Sequence, residues 1–273
     1  MPNFYTLITE AIADFEQHGY DSEDRLNKWL EAINTGARAL MPPAGEVRDA
    51  LTRSLKAIFT REVDSKGALK HHKVSAFTID NIKPQLRNEL QRRIMASAQL
   101  IKLNREQAMS KTLQRFSGWA TSIPAGGSKA IDKPEVKEDV KKALRSLPYE
   151  EKRVIIDQGH KFTASINNMI AMDGGAIAAI WHSRFRQRGY DARPDHAERD
   201  GHIMLIRDSW AYKDGYAKAG KYGFTDQITA PGEEVFCRCS FQYVYSLREL
   251  PDDMLTIKGR EKIAKKSTQF NIP

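Results

Sequence analysis

Val235-Phe236-Cys237-Arg238-Cys239-Ser240-Phe241-Gln242-Tyr243-Val244-Tyr245 is the stretch that decides the fold class. Its side chains alternate: Phe236, Arg238, Ser240, Gln242 and Val244 share one face of an extended chain, and Cys237, Cys239, Phe241, Tyr243 and Tyr245 share the other. Period two in aromatic and β-branched residues predicts a strand. Two shorter apolar runs, Ala176 to Trp181 and Ile203 to Ile206, predict its neighbours, with Gly- and Pro-containing loops between them. Connections of this kind favour a small, mostly antiparallel sheet.

Everything upstream reads with helical spacing. Phe4, Leu7, Ile8, Ala11, Ile12 and Phe15 form one stripe, closed by Gly19. Asp21 or Ser22 caps a second helix carrying Leu26, Trp29, Leu30 and Ile33, which is expected to end near Gly36. After Pro42-Pro43, a third helix runs through Val47, Leu51, Leu55 and Ile58. The longest is expected to start near Asp80, with Pro84 in its first turn and Ile82, Leu86, Leu90, Ile94, Ala98 and Ile101 on one side. A short charged helix from Val136 to Leu144 follows, and Pro148-Tyr149 is expected to open another, through Val154 toward Met169. The fold class is therefore α+β. The expected divisions are a helical region 1–123, a linker 124–133 around Pro124-Ala125-Gly126-Gly127-Ser128-Lys129, a helical connection 134–174, a sheet module 175–251, and a basic tail 252–273.

Composition narrows the function classes. The chain has 273 residues, 41% of them hydrophobic, and a mean hydropathy of -0.56. No window is apolar enough for a membrane helix, and Met1-Pro2-Asn3-Phe4 has no basic region followed by an apolar one, so export by a signal peptide is not expected. The only cysteines, Cys237 and Cys239, stand one residue apart, too close for an unstrained disulfide. A reducing cytoplasm is the expected place of synthesis. A net charge of +8 suggests an acidic partner, nucleic acid first, although lysine-rich surfaces also serve solubility alone. The Gly126-Gly127-Ser128-Lys129 run lacks the first glycine and preceding strand of a phosphate-binding loop, so a packaging ATPase is not indicated. His71-His72, between Lys70 and Lys73, reads as an exposed basic loop.

Polar residues concentrate in Arg193-Pro194-Asp195-His196, Arg199-Asp200-Gly201-His202, Pro231-Gly232 and Cys237-Arg238-Cys239. Two thiolates, the His196 imidazole and either Asp200 or His202 would make a tetrahedral zinc set, although a single residue between the cysteines is unusual for one. The same groups fit a buried structural cluster. A cysteine hydrolase using His196, Asp200 and Cys237 or Cys239 is the enzymatic alternative. Lys213, Lys218 and Lys221, interleaved with Trp210, Tyr212, Tyr216 and Tyr222, together with Lys262, Lys265 and Lys266 of the tail, are candidates for proximity to DNA. That aromatic and lysine mixture also fits a loop that packs its rings and exposes its cations.

In order, Trp181, Arg193-Pro194 with His196, Asp200-Gly201, Pro231-Gly232 and Cys237-Arg238-Cys239 resemble the motif series of the Mu F-like minor head (head morphogenesis) proteins of tailed bacteriophages. The resemblance covers about Gly175 to Pro251, under a third of the chain. It implies a low-copy, non-enzymatic virion component in the head or at the portal. The partners it implies are the portal protein, major capsid or scaffolding protein, and packaged double-stranded DNA, with a role in assembly or genome ejection. Two features depart from the family pattern. Phe236 stands where the family usually has a polar residue, often Asn, and the Gly201–Pro231 loop is rich in Tyr and Lys.

Overall fold

The computed structural model describes residues 3–64, 71, 73–184 and 193–269, without the side chains of 266–269. Lys70, His72 and the side chain of Lys266 thus lie outside the described residues. The architecture is α+β: a long helical N-terminal region, then a small three-stranded antiparallel sheet.

Among the described residues, five helices precede the sheet: α1 Phe4–His18, α2 Glu23–Leu40, α3 Ala44–Val63, α4 Ala76–Ser122 and α5 Lys133–Asp173. Caps begin them where the sequence offers an oxygen. The Asn3 side chain accepts the N–H groups of Tyr5 and Thr6, Ser22 accepts that of Arg25, and Asp132 accepts that of Glu135. Three expected boundaries are corrected. Helix α2 passes through Gly36, whose missing side chain leaves room for α1; a Cβ there would stand 2.6 Å from Leu7 Cδ1. The helix stops only ahead of Pro42-Pro43. Helix α4 begins near the Ser75 cap, so Pro84 lies inside it and not in its first turn. Helix α5 is one element of 41 residues with Pro148 in its interior, not two helices meeting there. An interior proline costs a helix about 3 kcal/mol. Burial on both sides of each proline offsets it: Ile82 and Leu86 flank Pro84, and Leu147 and Val154 flank Pro148.

Contacts divide the chain into two compact units, Met1–Thr52 with Ile94–Ile155, and Arg53–Arg93 with Ile156–Pro273. In the first, Phe4, Ile8, Ile12 and Phe15 of α1 pack with Leu26, Ile33, Met109, Phe116 and Val140. The Asp14 carboxylate ties α1 to α2 by accepting from Trp29 Nε1 at 2.7 Å and from Arg25 at 3.1 Å. The 124–133 segment is fastened to the end of α1. Gly126 and Ser128 donate their N–H groups to the carbonyls of His18 and Glu16, which the helix leaves unsatisfied. Gly127, at φ 84, comes so close that a Cβ would lie 2.1 Å from the Glu16 carbonyl.

The second unit holds the sheet, in the order β2-β1-β3, from β1 Ala178–His182, β2 Ile203–Leu205 and β3 Ser240–Val244. Ala178 pairs with Leu205 on one side and Val244 on the other. One face carries Ala178, Leu205 and Val244 into a core with Phe224, Leu247, Leu250, Met254 and Leu255. The other carries Trp181, Met204 and Phe241 toward Cys237 and Cys239. The expected strand Val235–Tyr245 is shortened at its start, because Val235 to Cys239 form a turn and an unpaired segment. Short helices α6 Pro194–Glu198 and α7 Trp210–Lys213 lie in the connections, and the C-terminal α8 Ile257–Gln269 closes the described chain. Among the described residues, no helix is long and apolar enough to cross a membrane.

Candidate metal centre

His196 is set by α6. Pro194 occupies the first helical turn, where its missing N–H costs nothing, and the Arg193 carbonyl accepts the N–H of Ala197. The imidazole is 1% exposed and meets the edge of the Trp181 ring, 5.2 Å between centroids. The two cysteines arrive from a tight turn. Gly232 adopts φ 85 beside α5, where a Cβ would stand 3.0 Å from the Ala164 Cβ. Cys237 donates its N–H to the Glu234 carbonyl, and Phe236 takes the left-handed conformation at φ 61. The Phe236 N–H donates to the buried Asp157 carboxylate at 2.6 Å, pinning the turn to α5.

This places His196 Nδ1 3.7 Å from Cys237 Sγ and 3.6 Å from Cys239 Sγ, with all three atoms within 4.8 Å of one another. In a tetrahedral zinc site with Zn–S about 2.3 Å and Zn–N about 2.0 Å, nitrogen and sulfur lie roughly 3.5 Å apart. The donor set, its spacing and its burial therefore suit a metal ion.

Comparison with known protein families, curated proteins and solved structures finds no match to this chain. The chemistry of the site is read from its own geometry.

A hydrogen bond links the two thiols. Hydrogen bonding from the Cys239 thiol holds Cys237 well below the ordinary thiol range. Burial opposes that shift, and the N–H groups of Gly232 and Cys239 support it. The same bond, with burial, pushes Cys239 up. The lowered Cys237 thiol and the imidazole are donors suited to a cation, and binding one through both sulfurs would require the Cys239 thiol to give up its proton. The same pair provides the elements of a thiolate nucleophile, but Cys237 is only 1% exposed.

The other motif residues surround this group without joining it. Asp200 accepts the Ser183 N–H at 2.7 Å and anchors the end of β1; it neither ligates nor orients His196. His202, the other sequence candidate for a fourth ligand, stacks on Tyr222 at 3.6 Å. Burial, then Lys221, lowers its pKa. Gly201, at φ 77, turns the chain into β2 and donates to the Trp181 carbonyl. Arg193 pairs with Glu234 at 2.8 Å and donates to the Val235 carbonyl. Arg199 lies 5.2 Å from the Trp181 ring centre. Arg238 and Arg184 bear on His160 of α5; its pKa is lowered first by burial and then by Arg238. Pro231 precedes Gly232 in the turn and is buried.

Sequence reasoning missed Glu234, Thr229 and Asp157. Asp157 lies 79 residues before its partner Phe236 and carries no local signal. The lysine candidates are spread over the unit. Lys213 pairs with Asp208, Lys221 lies over Tyr222, and Lys262 covers Tyr216 and Trp210; Lys218 and Lys265 are exposed. Trp210 and Tyr216 pack against the sheet core, whereas Tyr212 and Tyr222 are exposed.

Proposed function

We propose that the chain is a minor head (head morphogenesis) protein of a tailed phage, of the Mu F-like type, whose C-terminal module is stapled by zinc. The observation that carries the reading is the meeting of His196, Cys237 and Cys239 at 3.6–3.7 Å, from positions about forty residues apart. These are the ligand-forming members of the ordered motif series, so the residues behind the resemblance are also the residues that would hold the metal. Their burial favours a structural centre over an enzyme, because a substrate needs an approach that side chains 1–6% exposed do not offer. In this reading the module is an anchor within the head or at the portal. The helical region supplies surface for portal, capsid or scaffolding partners, and the net charge of +8 suits a position near packaged DNA.

Two measurements test the reading. The purified protein should carry about one equivalent of zinc by elemental analysis. The protein should also appear at low copy in purified particles, before or after genome release. Its absence from every particle stage would overturn the virion role, and metal-free protein would overturn the staple.

A further inference from the structure

We propose that Glu234 is the outer-shell carboxylate of this metal centre: it accepts the Nε2–H of His196 and thereby presents Nδ1 to the two sulfurs. The inference rests on the metal reading above and adds a positioning residue to it.

An imidazole that ligates through one nitrogen keeps its proton on the other. Here Nδ1 faces both sulfurs, so Nε2 carries the proton. Nε2 is buried and has no hydrogen-bond partner. A buried donor without a partner is costly, and ligating histidines almost always give that proton to a carboxylate, a carbonyl or water. Two carboxylates stand near it, Glu234 Oε1 at 3.6 Å and Asp195 Oδ2 at 3.9 Å. Asp195 is half exposed and engaged by Arg199 at 2.8 Å. Glu234 is the more buried of the two. Arg193 holds its Oε2 at 2.8 Å, and the Thr229 hydroxyl donates to its Oε1 at 3.1 Å. Those bonds fix the carboxylate on the far side of the ring from the sulfurs. A move of about 0.5 Å brings Oε1 into hydrogen-bond range of Nε2.

The sequence positions give the arrangement a further consequence. Arg193 lies three residues before His196, and Glu234 three residues before Cys237. Their ion pair joins the two ligand-bearing segments on the side away from the metal. Binding the metal and forming the Arg193–Glu234–His196 chain therefore close the same gap between segments and favour one another.

Competition against a chromogenic chelator, with zinc as the probe, reads the effect in the full-length protein. E234A is expected to bind zinc 10- to 100-fold more weakly than wild type, and E234Q, whose amide oxygen still accepts the proton, to fall between them. D195N is expected to match wild type. In the zinc-loaded protein the His196 Nε2–H proton resonance should shift in E234Q, a readout that loss of packing alone would not move selectively. Equal zinc affinity in wild type, E234Q and E234A overturns the role of Glu234 and leaves the metal site standing. A loss confined to D195N assigns the proton to Asp195 and overturns the proposal. Failure of wild type itself to bind zinc overturns the metal reading and this inference with it. E234Q, close in shape to the native residue, keeps the test valid if E234A does not fold.

Discussion

Zinc is expected to raise the melting temperature of the sheet-bearing unit by roughly 5 to 16 °C, a range that follows from two separate estimates. The first is mass action: a ligand that binds only the folded form, at a hundred times its Kd, adds about 2.7 kcal/mol. The second is chain entropy. A metal bridging His196 and Cys237 closes a loop of 41 residues in sequence separation. Treated like a covalent cross-link, that loop removes about 4 kcal/mol of denatured-state freedom. The unit spans roughly 160 residues, for which each kcal/mol moves the midpoint by about 2–4 °C. The assay is scanning calorimetry of protein stripped with a chelator and of the same protein given one equivalent of zinc. His196→Ala and Cys237→Ser run alongside. Both substitutions should abolish the zinc-dependent shift, because each removes one of three ligands from a centre with no fourth among the described residues. An identical midpoint with and without zinc in the wild type refutes the staple. A full shift surviving in C237S places the zinc elsewhere and refutes the assigned ligands.

Three further outcomes follow from the geometry. Phe236→Asn should raise the midpoint by roughly 1–3 °C, since a non-glycine residue in the left-handed region costs about 1–2 kcal/mol and Asn tolerates it best. The Phe236 side chain is only 37% exposed, so the burial it loses opposes that gain, and a lowered midpoint in thermal melts would show that its contacts outweigh the strain. Gly127→Ala should cost about 2 kcal/mol or more in urea unfolding, because φ is 84 and the new Cβ would meet the Glu16 carbonyl; unchanged stability would mean the 124–133 segment is not held there. Alkaline pH should weaken the fold through Tyr243 and Tyr245, both raised by burial, Tyr245 to about 12 and Tyr243 further. Above about pH 10 the unfolded chain gives up these protons while the folded chain keeps them, so stability falls as pH rises. The urea midpoint should therefore drop between pH 9 and 11 (about one unit either side of the free phenol), and a Y243F/Y245F variant showing the same drop would assign it to other groups.

What could be read from the chain depended on how far each residue's partner lay in sequence. The stripe of Phe4, Ile8, Ile12 and Phe15 and the alternation from Ser240 to Val244 are local patterns, and both appear where they were expected. The prolines show the limit of local rules. Pro84 and Pro148 carry the ordinary signal for a helix start, yet both lie inside helices because the buried residues on either side hold the helix together. Val235 to Cys239 misled in the opposite direction. Their alternation fits a strand, but the segment bends where the Phe236 N–H reaches a carboxylate on α5, a contact that no window of sequence contains. The residues that could hold a metal were legible because cysteine and histidine are rare and chemically distinctive. Their neighbours were not: Glu234 looks like any surface glutamate, and Asp200 and His202, chosen for their chemistry, are engaged by Ser183 and Tyr222. The residues that can bind a metal were thus visible as residue types, while the residue that would orient them was visible only as a position, 3.6 Å from an otherwise unpartnered nitrogen.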